Sequence, residues 1–347
     1  MYFRPEIEAM AGYVPGEQPQ DGAFIKLNTN ENPYPASSKI APAVAESVSR
    51  LQKYPDPTAG PFRRRAAEVL GVDPDWILCG NGSDDILTIV TRALVGQGEA
   101  LRFPYPSYIL YRTLAELQGA RSLEDVQFKA DWSLPDGFVA ACKGVKLAIL
   151  ANPNSPSGTV IAPDKVLELA EQLPCPLLVD EAYADFAETN CVSLVAKCEK
   201  IMISRTLSKS YALAGLRFGF LVAQPQMIEQ LMKVKDSYNC DALSIAAATA
   251  AIGDQAWLAE NRAKIIATRA WVLPELRKLG FMTIDSQSNF LWNTHPTLPV
   301  RPIYEELKRN RILVRYMNYP NWGDGLRISV GTDAEAKACL EKLREII

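Results

Sequence analysis

Residues 201–222 read Ile201-Met-Ile-Ser-Arg-Thr-Leu-Ser-Lys209-Ser-Tyr-Ala-Leu-Ala-Gly-Leu-Arg217-Phe-Gly-Phe-Leu-Val222. Two short apolar runs, Ile201–Ser204 and Phe218–Val222, bracket a polar turn that carries Lys209. Runs this short, apolar on both faces, suit strands buried between two layers of helices. Similar runs occur upstream at Ala100–Phe103, Lys146–Ala151 and Pro176–Val179. Between them lie stretches with helical period, such as Asp84–Leu94 with Ile86, Leu87, Ile89, Val90 and Leu94 on one face. This alternation predicts an α/β fold with a doubly wound, mostly parallel sheet.

Working outward, the first 36 residues are rich in Pro, Asn and Gly without sustained periodicity and read as an N-terminal arm, with a large domain over 37–254. The Ala-rich stretch Ala242–Ile252 and a long pattern through Leu279 read as helices. Phe281–Ile284, Asn289–Trp292, Ile312–Tyr316 and Leu326–Val330 then read as strands, with helices at Arg301–Asn310 and Asp333–Ile346. These predict a smaller α/β domain over 255–347.

Composition narrows the chemistry. The chain has 347 residues, 48% hydrophobic and 22% charged, and a net charge of −3, which fits a folded globular protein and gives no bulk basic character for nucleic acid. The longest run without a charged residue, Leu147–Pro163, contains Pro153, Pro156 and Pro163 and is too short to span a bilayer. No basic and apolar leader opens the chain, and seven scattered cysteines without a CxxC pair suit free thiols in the cytoplasm. With His295 as the single histidine, triads and multi-histidine metal sites are nearly excluded. Proton transfer near neutral pH then falls to a lysine, a carboxylate, a tyrosine or a cofactor.

Five segments carry that chemistry. Lys209, with Thr206 and Ser208 before it and Arg217 after it, combines a candidate amine nucleophile with hydroxyls and a guanidinium suited to phosphate, although an isolated Ser-Lys is ordinarily a solvated turn. Pro176-Leu-Leu-Val-Asp180-Glu-Ala-Tyr183 sets a carboxylate at the end of a buried strand, as a helix cap or as the partner of a protonated pyridine nitrogen, with Tyr183 reaching a ring oxygen. Gly80-Asn-Gly-Ser-Asp-Asp85 opens a helix and frees the backbone N–H groups of Ser83 and Asp84 for an anion, or simply punctuates the chain. Phe103-Pro-Tyr-Pro-Ser-Tyr108 offers Tyr108 as a stacking ring or a core residue. Ala151-Asn-Pro-Asn-Ser-Pro-Ser-Gly158 is a rigid loop whose Asn side chains can donate to a ring oxygen, or an ordinary turn. Together they describe a site for one flat, phosphorylated pyridine aldehyde, pyridoxal 5′-phosphate.

The chain resembles the pyridoxal-phosphate aminotransferases of fold type I, and among them the histidinol-phosphate aminotransferase group, over nearly its whole length. The carriers are Tyr13-Val-Pro-Gly16, Lys26-Leu-Asn-Thr-Asn-Glu-Asn-Pro-Tyr34, Tyr54-Pro-Asp56, Arg205–Arg217 and Leu326-Arg-Ile-Ser-Val-Gly-Thr332. The resemblance implies that Lys209 bonds the cofactor aldehyde and moves the proton, Asp180 holds the pyridine nitrogen, Tyr183 bonds the ring oxygen and Tyr108 stacks on the ring. It implies that Ser83, Asp84, Thr206, Ser208 and Arg217 bind the phosphate, with Tyr54 reaching the cofactor of the neighbouring subunit in a homodimer. Arg315 and Arg327 are then the pair for the substrate's anionic end, with Tyr13 arriving from the partner's arm. The implied reaction converts L-histidinol phosphate and 2-oxoglutarate to imidazole-acetol phosphate and glutamate in histidine synthesis. Threonine-phosphate decarboxylation and aromatic amino-acid transamination are the alternatives on this scaffold. One departure stands out: the family Asn before Pro-Thr-Gly is Ser155 here, and Asn154 is the candidate to take over its ring-oxygen contact.

Overall fold

The computed structural model describes residues 2–12, 16–19 and 24–347. Its strands, in chain order, are β1 Ile25–Leu27, β2 Ile77–Gly80, β3 Ala100–Arg102, β4 Arg121–Leu123, β5 Leu147–Ala151, β6 Leu177–Asp180, β7 Ile201–Thr206, β8 Gly219–Val222, β9 Met282–Thr283, β10 Phe290–Thr294, β11 Ile312–Tyr319 and β12 Gly323–Ser329. Seven of them form one sheet in the order β2-β8-β7-β6-β5-β3-β4. Only β8 runs against its neighbours, pairing antiparallel with β7 and β2, so the expected mostly parallel sheet is present.

The continuous apolar runs are explained by burial on both faces. Alternate residues of a strand point to opposite sides. Ala148, Leu150, Leu177, Val179, Ile201 and Ile203 enter one core, while Leu147, Ile149, Leu178 and Met202 enter the other. The first core includes residues of helices Gly60–Leu70, Pro163–Gln172 and Ala242–Ile252; the second includes residues of Ser83–Leu94, Leu110–Leu117 and Pro225–Met232. All seven cysteines are buried and unpaired. Among the described residues no helix is long and apolar enough to cross a membrane.

A second sheet has the order β1-β11-β12-β10-β9 and shares a core with helices Gln255–Lys278, Val300–Arg309 and Asp333–Ile346. Two features depart from expectation. Residues 25–27, read as arm, pair in parallel with β11 as an edge strand, and Pro5–Ala9 is a short helix. Strands β2 and β4 lie outside the apolar runs named above and are defined by their pairing, β2 with β8 and β4 with β3.

One close approach sets the geometry at the carboxyl edge of the large sheet. A Cβ added at Gly219 would lie 2.5 Å from the Ser83 nitrogen and 2.6 Å from the Gly82 carbonyl carbon. Glycine thus lets the start of β8 touch the loop that opens helix Ser83–Leu94. Gly219→Ala is therefore expected to cost about 1–3 kcal/mol, the range for overpacking a tight site, and to displace that loop. Chemical denaturation checks this, and wild-type stability in the variant would show that the contact relaxes freely.

Candidate active site

The carboxyl ends of β5, β6 and β7, and the loop after β2, converge on a cavity of about 310 Å³. This is the edge at which open α/β sheets bind ligands. Ser83, Asp84, Tyr108, Asp180, Tyr183, Thr206, Ser208, Lys209, Arg217, Arg315 and Arg327 all line it, so the structure brings together most of the residues singled out from sequence.

Asp180 ends β6, and its carboxylate is buried. Tyr111 Oη donates to Oδ2 at 2.7 Å, and the Ala182 N–H donates to Oδ1 at 3.3 Å. Burial lifts this carboxyl to about 6 despite those two donors. Lys209 Nζ donates to the Thr29 carbonyl at 3.0 Å and sits 5.9 Å from the centre of the Tyr183 ring. Burial pulls its amine down to about 8, and the Arg327 guanidinium acts in the same direction. Such an amine has a substantial neutral fraction near physiological pH, as a nucleophile or a proton carrier requires. Tyr183 Oη accepts from Asn30 Nδ2 at 3.0 Å.

The loop after β2 forms an anion cradle. Gly82 adopts φ +85°, a conformation that calls for glycine, and a Cβ there would lie 2.6 Å from Arg217 Nη2 and push that guanidinium aside. Beyond it, Ser83 and Asp84 open a twelve-residue helix, where N–H groups lack intrahelical partners. Thr206 Oγ1 donates to Ser208 Oγ at 3.1 Å, and Arg217 Nη1 reaches Ser208 Oγ at 3.4 Å. Arg217 Nη2 also lies 3.1 Å from Asp84 Oδ2. Two hydroxyls, free amides and a guanidinium on one wall make a donor set that suits a phosphate.

The small sheet supplies the other charges. Arg315 of β11 and Arg327 of β12 are direct register partners in an antiparallel pair. Arg327 donates through Nη1 to Ser155 Oγ at 3.0 Å and through Nη2 to the Asn28 carbonyl at 3.2 Å. Its Nε is buried without a hydrogen-bond partner among the described residues.

Asn154, the candidate for the ring-oxygen contact, is tied to neighbouring loops. Its Oδ1 accepts from Ser107 Oγ at 3.0 Å, and its Nδ2 donates to Ser157 Oγ at 3.1 Å and to the Pro106 carbonyl at 3.3 Å. Those bonds link it to the 103–108 segment and to its own loop, and Ser155 rather than Asn154 lines the cavity. Tyr54 lies away from the cavity, 81% exposed, and Tyr13 falls outside the described residues. Three contributors escaped the sequence reading: Tyr111, which bonds Asp180; Thr29, whose carbonyl receives Lys209; and Glu31, which lines the cavity and pairs with Lys26. Tyr111 stands one helical turn beyond Tyr108, a spacing that could have pointed to a shared face.

Comparison with known proteins places this geometry. The profile of the family described as aminotransferase class I and II matches residues 23–343. A histidinol-phosphate aminotransferase from Rhodopirellula baltica is 56% identical over 98% of this chain and 94% of its own. Histidinol-phosphate aminotransferase 1 from Trichormus variabilis is 45% identical over 100% of this chain and 99% of its own. Among solved structures, histidinol-phosphate aminotransferase from Sinorhizobium meliloti in complex with pyridoxal-5′-phosphate superposes with a TM-score of 0.91 at 25% identity, covering 100% of this chain and 98% of that one.

The depressed amine gives a pH test. Only neutral Lys209 attacks an aldehyde, so with a pKa of about 8 borohydride trapping of a small aldehyde on it should accelerate about ten-fold from pH 7 to pH 9. Arg327→Gln removes a cation that lowers this pKa, so its profile should move to higher pH. An unmoved profile would mean that Lys209 does not feel the Arg327 charge.

Proposed function

The chain belongs to the aminotransferase class I and II family, and from that premise we propose that it transaminates L-histidinol phosphate with 2-oxoglutarate, using pyridoxal 5′-phosphate. The carrying observation is that Lys209, Asp180, the Gly82–Asp84 cradle with Arg217, and the Arg315–Arg327 pair all face one cavity. The substrate follows from relatives up to 56% identical over nearly the whole chain, all carrying that activity in their names.

The residues present fit the cofactor. The space kept open by Gly82, the helix N-terminus and the Thr206–Ser208–Arg217 cluster suit its phosphate. Asp180 is a carboxylate whose pKa is raised by burial and which has no ion pair among the described residues, and a protonated ring nitrogen would supply one. Tyr108 lines the same cavity as a stacking ring, and Tyr183 offers its hydroxyl to the ring oxygen. When bound, the group supplies an aldehyde carbon and an electron-withdrawing ring that makes the substrate's Cα–H acidic. Lys209 would hold that carbon in the resting protein and, once freed by the incoming amine, its ε-amine would serve first as general base and then as general acid for the substrate's proton. Ser155 stands beside Arg327, where the family pattern has Asn, and shares the anion site with it.

Arg315 and Arg327 receive the anionic end of each substrate in turn, phosphate in one half-reaction and a carboxylate of glutamate in the other. We further infer a homodimer in which Tyr54 completes the neighbour's phosphate site and Tyr13 its substrate site. Tyr54 is exposed and stacked on Tyr238, with ring centroids 4.6 Å apart, and Val48 and Leu51, a few residues before it in the chain, are exposed as well. Mixing inactive Lys209→Ala with an inactive Tyr54 variant should restore activity through hybrid dimers; no rescue after confirmed subunit exchange would place each site within one chain.

An amine-donor survey tests the function. Histidinol phosphate and glutamate should each convert the cofactor to its amine form, followed by absorbance, whereas threonine phosphate should not release CO₂. Two adjacent guanidiniums favour a dianion, and one charge-assisted bond is worth about 1.5–3 kcal/mol. Arg315→Ala should therefore lower kcat/KM for histidinol phosphate at least about ten-fold more than for phenylalanine, while Arg327→Ala lowers both. Equal losses in Arg315→Ala would remove the phosphate-reading role.

A further inference from the structure

The residues beside the active-site groups form a network of their own. Asp180, Thr206 and Lys209 line the cavity, whereas their chain neighbours Glu181, Arg205 and Ser210 do not. Strand geometry accounts for the first two, because consecutive side chains point to opposite faces. On the far side, Arg205 Nη1 donates to Glu181 Oε2 at 2.7 Å, and its Nη2 donates to Asp185 Oδ1. Ser210 Oγ donates to the other oxygen of Asp185, and the Cys191 N–H donates to Glu181 Oε1. Glu181 is 2% exposed and Arg205 8%. Backbone bonds tie the same pieces together: the Glu181 N–H donates to the Ser204 carbonyl at 2.9 Å, and Asn32 Nδ2 donates to the Ser210 carbonyl at 3.0 Å.

Burying one cation with two anions is a poor way to gain stability, since the desolvation cost consumes most of the attraction. What the network does have is reach. Through one shared guanidinium and one shared carboxylate it joins the residue after Asp180, the residue before Thr206 and the residue after Lys209. We propose that Arg205, Glu181, Asp185 and Ser210 are positioning residues that hold the Lys209 turn in register with Asp180 across the β6–β7 edge. The inference rests on the cofactor reading above and extends it to side chains that touch neither cofactor nor substrate. In this arrangement Ser210 and Asp185 form the arm that steadies Lys209, and Glu181 forms the arm that steadies Asp180.

Two ligands separate positioning from general structural support. Pyridoxal 5′-phosphate bonds Lys209 covalently, whereas pyridoxamine 5′-phosphate uses the same cradle and Asp180 without that bond. Full-length protein freed of cofactor is titrated with each, for wild type, Ser210→Ala, Ser210→Thr and Asp185→Asn. Ser210→Ala and Asp185→Asn should weaken the aldehyde form about ten-fold, the scale of one lost charge-assisted hydrogen bond, and leave the amine form within about two-fold. Ser210→Thr, which keeps the hydroxyl, should restore wild-type behaviour, and in Ser210→Ala kcat should fall with the KM for the amine donor unchanged. Equal weakening of both ligands, or no change in either, would overturn the proposal, and Ser210→Ala decides the matter if Asp185→Asn fails to fold. A wild-type protein that forms no covalent chromophore with the aldehyde would instead overturn the cofactor reading beneath it.

Discussion

Asp180 is buried at the end of β6, where burial lifts its carboxyl to about 6 and, among the described residues, Tyr111 and the Ala182 N–H hold it. Without a cation such a group is costly, because low-dielectric surroundings penalise the charged form more than two hydrogen bonds return. The rest of the site can be read as the answer to that strain. In the cofactor reading proposed above, a protonated ring nitrogen would satisfy the carboxylate, the phosphate of the same molecule would satisfy the helix N-terminus and Arg217, and its aldehyde would meet Lys209, the lysine among the described residues that line the cavity.

The sheet makes this convergence possible because it is buried on both faces. Each strand invests alternate residues in two cores and leaves only its last residue to chemistry. Asp180 and Thr206 are the last residues of β6 and β7, and Ala151 is the last of β5. A one-residue slip would exchange Asp180 for Glu181 and Thr206 for Arg205, placing the buried ion pairs in the cavity and the site residues behind it. Specificity of register is therefore a functional property here as well as a structural one.

Arg315 and Arg327 pose the opposite electrostatic problem. Like charges directly opposite in an antiparallel pair repel. The cost is tolerable because Arg327 is engaged by Ser155 and the Asn28 carbonyl, and the guanidinium lies 5.3 Å from the Phe290 ring. Its Nε is buried without a hydrogen-bond partner among the described residues, which suits the anion site proposed above. Burial and this same cation depress the Lys209 amine, so in the proposed reaction the group assigned to the substrate's anion would also tune the base assigned to its proton.

Much of this was legible in the linear chain. Short apolar runs alternating with 3.6-period stretches specify a buried parallel sheet, and Lys209 among Thr206, Ser208 and Arg217 announces an amine next to an anion site. Those features are local, set by residue type and spacing. The chain alone could not show that residues 25–27 join the second sheet, since an isolated three-residue strand has no periodicity and pairing decides its existence. Nor could it show that Tyr111 rather than a charged group reaches Asp180. Asn154 and Ser155 make the same point: both are polar and adjacent, and only the folded chain turns one toward Ser107 and Ser157 and the other to the cavity. Residue chemistry is local, but the direction in which a side chain points is set by long-range packing, and that is what only the tertiary structure decided.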